Sequence, residues 1–305
     1  MRREAAGRST DLAWLSLQLL INGLATGMLY ALIALGFAII YNGTRLLHLA
    51  HGAVFAFGGY AFYAARVQFE LPVWAAGALC VLAASLLGVT MELLVYRPLR
   101  RKRSGEAPII IASLGMLTLC QAMLGIFFGT DTLNVEHSTL GTYEVAGLLI
   151  TQLHVAIAVI AAVIFPILQL VLTRTGYGRA IRALADNPEL SVVFGVNVDR
   201  IYLVIFAIGS GLAAVAASLI SYDTGVRPEM GFSVIFIAIV AVIAGGIGSL
   251  PGAALGGLIV GVLQSMSLLP LSARWQDAVV FGLLVVLLLL RPQGLFGHAL
   301  NVRKA

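Results

Sequence analysis

The stretch Arg174 to Arg200, RTGYGRAIRALADNPELSVVFGVNVDR, is a polar segment between long apolar stretches. Because apolar sequence flanks it on both sides, two membrane crossings are expected to deliver it to one aqueous compartment. Within it, Asn187 is a typical N-cap for a short helix that begins at Pro188. Gly195 is expected to end this helix, since glycine readily adopts the left-handed conformation of a helix terminus. The sequence therefore predicts a short helix at the membrane surface.

This short helix carries a small apolar face. Leu190, Val193 and Phe194 are spaced at i, i+3 and i+4, so their side chains share one side of the helix. Such a face can enter a groove on a partner protein. The alternative is that it packs against the end of its own helix bundle, and the segment by itself does not decide between the two.

Composition identifies the class of protein. Of the 305 residues, 60% are hydrophobic and 11% are charged, whereas a soluble domain carries about 25% charged residues. Several apolar runs are long enough to cross a bilayer core of about 30 Å, and they are spread along the whole chain. We therefore predict an all-α membrane protein, a polytopic bundle of about eight to ten transmembrane segments in a single domain over residues 1–305.

Charge and cysteine content exclude several kinds of site. The formal net charge of +5 is attributed to membrane topology and not to nucleic-acid binding, because basic residues of membrane proteins collect in cytoplasmic loops. Cys80 and Cys120 both lie in apolar segments, so neither a disulfide framework nor a metal site is predicted. The first apolar segment is too long for an ordinary signal peptide and is expected to be retained.

The distribution of charge places loops on the two sides of the membrane. Residues 97–103 are strongly basic and are placed in the cytoplasm together with residues 174–200. Residues 129–151 contain acidic side chains but no Lys or Arg, and are placed outside. The number of crossings before Leu71 is left open, because two full crossings would put the basic N-terminus outside. Either residues 48–65 are re-entrant or they hide an additional crossing.

Two interrupted apolar segments are candidates for a translocation path. The first contains His48, His51 and Gly52, and polar residues and glycines within a span are typical of a broken helix that lines a cavity. The second is interrupted by the turn GGIGSLPG, which begins at Gly245 and Gly246. The two interrupted segments form a weak internal repeat, which favours two related halves with the substrate path at their interface. The alternative is that the match arises from shared small-residue composition. For each histidine, the alternative is a structural role near the membrane end.

The chain lacks the motifs of enzymes. It contains no H-E-x-x-H, Walker A, C-x-x-C or G-x-S-x-G motif. Ionisable groups are scarce in the predicted spans: Glu92 lies near a cytoplasmic end, close enough to Arg97 for a structural pair, and Asp277 lies near an outer end. An ion-coupled carrier or an intramembrane enzyme would usually hold such groups at mid-membrane depth. We therefore predict no enzymatic activity and a path driven by energy from outside the chain.

Three blocks of sequence carry a family resemblance. They are NGLATGMLYALIALGFAIIYN leading into Ala50-His51-Gly52, GRAIRALADN followed by Gly195-Val196-Asn197, and GGIGSLPGAALGG with the late RPQGLFG. In these blocks the chain resembles the permease subunits of bacterial ABC importers for leucine, isoleucine and valine, from about Leu17 to Gly297. The resemblance implies an ABC-importer permease fold and transport of branched-chain or related amino acids.

The resemblance also implies an assembly. The expected partners are a second permease subunit, identical or related, two cytoplasmic ABC ATPases, an external solute-binding protein and membrane lipid. No cofactor is expected on this chain, since ATP would be held by the ATPases, and the location implied is the bacterial cytoplasmic (inner) membrane. Alternatives are a permease of the same family for urea, amides or other small polar solutes, or a secondary transporter or channel that acts alone.

By the same resemblance, residues 174–200 are the coupling loop, and Pro188 to Phe194 form the coupling helix that docks on an ATPase. The implied coupling residues are Gly178, Arg179, Arg182, Ala183, Asp186, Leu190, Val193, Phe194 and Gly195.

The chain departs from the family pattern at four positions. His48 and Leu49 stand where Asn-Phe is usual, and Ala53 stands where an acidic residue is frequent. These changes lie at the presumed path and leave the exact substrate open. Ser191 replaces an alanine of the coupling helix, a small change that should be tolerated.

Overall fold

A computed structural model describes residues 2–135, 141–145, 147–291 and 293–296, with side chains from residue 12 onward. Most of these residues are helical, which confirms the predicted all-α membrane class. Among the described residues, six helices are long and apolar enough to cross a membrane. They are α1 (Arg2–Thr44), α3 (Val73–Met91, continued by a π-helical turn into α4, Arg97–Arg101), α5 (Glu106–Phe128), α6 (Gln152–Arg174), α9 (Val198–Thr224) and α12 (Gln276–Leu290).

Three shorter apolar helices complete the bundle in the described part of the chain. They are α2 (His51–Tyr63), α10 (Met230–Gly245) and α11 (Leu250–Met266). The axes of α10 and α11 are bent by 119° at their break, and the pair can count as one span, which gives seven spans by length. The predicted eight to ten segments are reached only when all three short helices are counted, because glycines and turns break these apolar stretches into helices of 13, 16 and 17 residues.

Helix α1 connects the two sides of the bundle. At its outer end, Gln18 Nε2 donates to Leu149 O and Gln18 Oε1 accepts from Leu149 N, each at 2.9 Å. Just beyond its other end, Arg45 Nη2 donates to Ala185 O at 2.8 Å, within the polar segment. A helix from residue 18 to residue 45 is about 40 Å long, the thickness of a bilayer with its headgroups. Leu149, in the loop predicted to lie outside, and the polar segment are therefore on opposite sides of the bundle, as predicted.

Helix α2 makes one outward passage. It begins at His51, which packs beside Phe37 of α1 with ring centroids 6.1 Å apart. It ends on the outer side, where the Tyr60 ring lies 4.8 Å from that of Phe128, at the end of α5. Two crossings therefore precede Leu71, and neither the re-entrant segment nor the additional crossing expected from the sequence is present. The start of α1 lies on the outer side, contrary to the orientation that the basic N-terminus favours.

The helices α1 and α11 pack along a seam of glycines. A Cβ added to Gly23 would lie 2.9 Å from Ser265 Cβ, one added to Gly27 would lie 2.8 Å from Leu258 O, and one added to Gly261 would overlap the backbone of Gly27. The small-xxx-small spacing of Gly23 and Gly27 thus serves the close backbone approach that this motif provides in membranes. Helix α9 packs against the other side of α1 and contacts α2 and α3.

The loop between α5 and α6 contains a feature that the sequence analysis missed. The strands β1 (Thr142–Val145) and β2 (Leu148–Thr151) form an antiparallel hairpin, with Tyr143 opposite Ile150. The turn uses Gly147 at φ 82°. Four-residue strands at the membrane surface carry too little alternation of polar and apolar residues to stand out against the long apolar runs.

The glycine-rich turn between α10 and α11 is a close backbone contact. A Cβ on Gly245 would collide with the carbonyl of Gly252, and Gly246 has φ 110°. Ser249 Oγ accepts a hydrogen bond from Gly252 N at 3.0 Å and caps α11. The predicted turn at GGIGSLPG is confirmed, and it folds α11 back against α10.

Candidate functional site

The polar segment folds into two helices, α7 (Gly176–Asp186) and α8 (Pro188–Val193). Asn187 Oδ1 accepts a hydrogen bond from Leu190 N at 3.0 Å, which makes Asn187 the N-cap of α8. Pro188 occupies the first helical position, where its missing N–H costs nothing. The predicted start of this helix is confirmed.

Helix α8 ends in a left-handed glycine. Gly195 has φ 79°, its N–H donates to Val192 O at 3.0 Å, and the N–H of Val196 donates to Ser191 O at 3.0 Å. This pair of bonds is a Schellman motif, which satisfies carbonyls that a helix end leaves free. The predicted helix end at Gly195 is confirmed, and it fixes the direction in which the chain returns to α9.

The apolar face of α8 is not covered by the bundle. Leu190, Val193 and Phe194 are 54%, 79% and 82% exposed, whereas Ser191 on the other side of the helix is 3% exposed. The alternative that this face packs on its own bundle is therefore wrong. Three adjacent apolar side chains in water at the end of a bundle indicate a contact surface for another protein.

Helix α7 fastens α8 to the end of α6. Gly178 is buried and packs directly against the backbone carbonyls of Val171 and Leu172, which leave no room for a Cβ. The Arg182 guanidinium donates to the Leu172 carbonyl, and Thr175 Oγ1 accepts from Gly178 N at 3.0 Å. Gly178 and Arg182 thus hold the segment in place.

The other coupling candidates of α7 face outward. Arg179, Ala183 and Asp186 are exposed. They lie on the part of α7 that leads to α8, beside Ala185, whose carbonyl is held by Arg45. Sequence reasoning missed Arg45, because no local pattern relates a turn after α1 to a helix 140 residues later.

An ion-pair cluster lies at the same end of the bundle. The Arg100 guanidinium pairs with both carboxylate oxygens of Glu92, while Arg97 pairs with Asp199 at 2.5 Å. The predicted pairing of Glu92 with Arg97 is therefore wrong. The cause is the π-helical turn Glu92–Tyr96. Its wider winding brings residue 100 onto the side of the helix that carries residue 92.

The histidine region is a buried hydrogen-bonded cluster. His48 and His51 are fully buried. His48 Nδ1 shares a hydrogen bond of 2.7 Å with Tyr96 Oη, which in turn donates to Ser113 Oγ at 2.8 Å. Ser113 Oγ also accepts from Ala50 N at 3.0 Å, which fixes the start of α2.

The five predicted path residues lie in packed interior. The rings of His51 and His48 are 5.7 Å apart, and a Cβ on Gly52 would collide with the carbonyl of Gly231. Gly245 and Gly246 face the backbones of α11 and of the C-terminal turn. The clefts described for this chain are lined by other residues. The path role of these five residues stays a prediction.

Comparison with known proteins identifies the family of this chain. Residues 19–288 match the family described as branched-chain amino acid transport system / permease component. The chain belongs to this family. The resemblance that the three sequence blocks predicted is thereby confirmed, and the permease is a transport protein that crosses the membrane several times.

Curated relatives span almost the whole permease. The high-affinity branched-chain amino acid transport system permease protein BraD of Pseudomonas aeruginosa is 35% identical, over 92% of this chain and 96% of BraD. LivH of Escherichia coli, also a high-affinity branched-chain amino acid transport system permease protein, is 32% identical over 92% of this chain and 96% of LivH. The ribose import permease protein RbsC of Haemophilus influenzae is 28% identical over 84% of this chain and 80% of RbsC.

A solved structure is similar in fold. PsaBC from Streptococcus pneumoniae, in complex with Fab, superposes with a TM-score of 0.54 at 12% sequence identity, over 89% of this chain and 91% of that chain. At this identity the similarity concerns the arrangement of helices alone, and it supports the membrane-permease fold.

We expect His51→Ala to lower substrate uptake by about tenfold while leaving assembly of the permease largely intact. An imidazole in the interior of a membrane bundle is costly to bury and is usually retained for function. The measurement is uptake per mole of recovered complex in liposomes. The matched control is His154→Ala, a partly exposed histidine at the start of α6. Wild-type uptake by His51→Ala would assign this residue a packing role instead.

Proposed function

We propose that the permease forms the membrane pathway of an ATP-driven ABC importer for branched-chain or related amino acids. The observation that carries this proposal is the exposed apolar face of α8, presented at the side of the bundle that the basic loops mark as cytoplasmic. Membership in the branched-chain permease family supports the cargo, since the relatives BraD and LivH are named for transport of these amino acids.

The contacts of α7 suggest how movement would pass from an ATPase into the bundle. Arg182 and Gly178 join α7 to the end of α6, and Arg45 joins it to the end of α1. An ATPase that closes on ATP would displace α8, and these short polar contacts would carry the displacement to both helices. Because helices are stiff and α1 spans the whole bundle, we infer a rigid-body movement of helices as the response.

We infer that ATP is bound and hydrolysed by two cytoplasmic ABC ATPases and that the permease itself holds no cofactor. A second permease subunit, identical or related, would complete the pathway, and an external solute-binding protein would deliver the cargo. The largely exposed apolar surfaces of α5, α6 and α12 are available to that second subunit and to lipid. The proposed location is the bacterial cytoplasmic membrane, with residues 1–305 as one membrane domain.

A different cargo within the family is the second candidate. The similarity to RbsC, which is named for ribose import, indicates that this architecture is not restricted to amino acids. Urea, amides or other small polar solutes are the corresponding alternatives. A secondary carrier is less favoured, because the ion pairs of the described residues lie at the cytoplasmic end of the bundle and leave no ion-coupling pair at its centre.

The proposal is tested by recovery of the native assembly. The tagged permease is extracted gently from its own membrane, and the proteins that accompany it are identified. We expect a Walker-type ATPase and a second permease of the same family, and the ligand of an associated binding protein would name the cargo. Recovery of the permease alone, still able to move a solute in liposomes without ATP, would overturn the proposal.

The helix end at Gly195 provides a test of the coupling role. We expect Gly195→Asp to abolish recovery of the ATPase while membrane insertion stays intact, because a side chain at φ 79° strains the turn and adds a charge beside the apolar face. Gly129→Asp is the matched control, since Gly129 has φ 85° on the outer side. The measurement is ATPase recovered per permease. Full recovery with Gly195→Asp would contradict the coupling assignment.

A further inference from the structure

A cleft of about 500 Å³ opens on the outer half of the bundle, between α5 and the turn that precedes α10. Its polar lining comes from Thr118, Gln121, Thr130 and Glu229. A volume of this size is typical of clefts that receive small molecules. None of these residues belongs to the coupling segment or to the histidine region.

The cleft runs from the outer surface towards the middle of the membrane. Glu229 and Thr130 lie in the turns at the outer ends of α10 and α5. Thr118 lies ten residues before the end of α5 at Phe128, which corresponds to about 15 Å along a helix. This depth is about half of the hydrocarbon core. A solute in the cleft would therefore have entered the outer half of the membrane.

The polar lining is inconsistent with a surface that faces lipid alone. Elsewhere on α5 the exposed side chains are large and apolar, as at Ile111, Leu119 and Phe127. Polar side chains within a membrane segment are costly against hydrocarbon and usually face the bundle interior or a water-filled cavity. The cleft is also lined by the small residues Ala122 and Gly125 and by the apolar Ile126.

Glu229 is a charged group near the entrance of the cleft. Its side chain is exposed at the mouth of the cleft, and it takes part in no ion pair among the described residues. A carboxylate and hydroxyl or amide groups at the entrance of one cleft form a suitable environment for an ammonium group.

We propose that this cleft is a solute site on the translocation path and that Glu229 pairs with the α-ammonium group of an amino acid as it enters. Gln121, deeper in the cleft, donates from its side-chain amide to the carboxylate of the solute, whereas the Thr118 hydroxyl donates to Leu114 O and Gly115 O of α5 and marks the depth of the polar lining. This proposal rests on the proposed function and makes that function more specific. It names zwitterionic amino acids as the substrate class in preference to urea and neutral amides, which lack an ammonium group.

The first test is Glu229→Gln in the complete complex, reconstituted with its ATPases and binding protein. Uptake of radiolabelled L-leucine should fall about tenfold, because an interaction with a charged group is lost, while recovery of the ATPases stays unchanged. Glu144→Gln is the matched control, an exposed carboxylate on β1 at the same side of the membrane. Uptake by Glu229→Gln equal to that of the control would overturn the proposal.

The second test locates the solute directly. Thr118→Cys is placed in a Cys120→Ser background, and its reaction with a membrane-impermeant maleimide is followed from outside. L-Leucine presented by the binding protein should slow the labelling, whereas isocaproate, which has the same hydrocarbon chain without an ammonium group, should not. Protection should disappear when Glu229→Gln is added. Equal labelling rates with and without L-leucine would overturn the site.

Failure of the site and failure of the proposed function give different results. If the permease is recovered without any ATPase, the proposed function itself is wrong. If the wild-type complex accumulates L-leucine with ATP while Glu229→Gln behaves as wild type and Thr118→Cys is not protected, only the cleft assignment is wrong.

Discussion

Replacement of Val193 and Phe194 by aspartate is expected to abolish recovery of the ATPases with the permease and, with it, ATP-driven uptake. Both side chains are about four-fifths exposed in the isolated chain, so the change should leave the bundle folded. In the docked state they would be central apolar anchors, and residues of this kind contribute 2 kcal/mol or more each. Losing two of them weakens binding about a thousandfold.

The matched control for this pair is Val145→Asp. Val145 is 55% exposed on the outer hairpin, so the same chemical change is made on an exposed valine at the other side of the membrane. The ATPases recovered per permease are compared by quantitative mass spectrometry after gentle extraction. Undiminished recovery with Val193→Asp/Phe194→Asp would remove the docking role from α8.

Gly261→Val is expected to disrupt the bundle itself. A Cβ at this position would overlap the backbone of Gly27, and two helix backbones cannot separate without opening the seam between α1 and α11. Overpacking typically costs about 1–3 kcal/mol, and a clash between two backbones lies at the upper end of this range. We expect a lower melting temperature of the detergent-solubilised permease by at least about 5 °C, together with loss of monodisperse protein.

Gly282→Val is the control for the seam. Gly282 lies in α12 and has open space around its Cα, so a side chain there meets no neighbour. Melting is followed by intrinsic fluorescence of both variants under the same conditions. If the two variants melt at the same temperature, the close approach of α1 and α11 is not important for stability.

The local features of the coupling segment could be predicted from sequence because their physical causes are local. An Asn N-cap, a Pro at the first helical position and a Gly at the helix end act within a few residues of one another. The small-residue spacing of Gly23 and Gly27 is likewise visible in the chain, although its partner helix is not. Hydropathy predicted the membrane class for the same reason, since length and composition alone decide it.

The contacts that organise the site are non-local, and the sequence gives no signal for them. Arg45 reaches Ala185 across 140 residues, and Tyr96 joins His48 to Ser113 across three different segments. The pairing of Glu92 with Arg100 depends on a π-helical turn. No propensity rule predicts such a turn.

The orientation of the first helix was the least predictable feature. The basic residues before the first span favour a cytoplasmic start, whereas the bonds between Gln18 and Leu149 place the start of α1 on the hairpin side. The charge rule counts loop residues and does not register such tertiary contacts. The cleft was missed for a related reason: Thr118 and Gln121 are isolated polar residues in an apolar helix, and only the fold brings Glu229 beside them.

The most direct test of the account is ATP-driven accumulation in liposomes. The purified complex is reconstituted with ATP inside and with radiolabelled L-leucine and its binding protein outside. We expect L-leucine to accumulate above its external concentration only when ATP is present, and we expect Val193→Asp/Phe194→Asp to remove this accumulation. Movement of L-leucine through the permease alone, down its gradient and at the same rate with or without ATP, would contradict it.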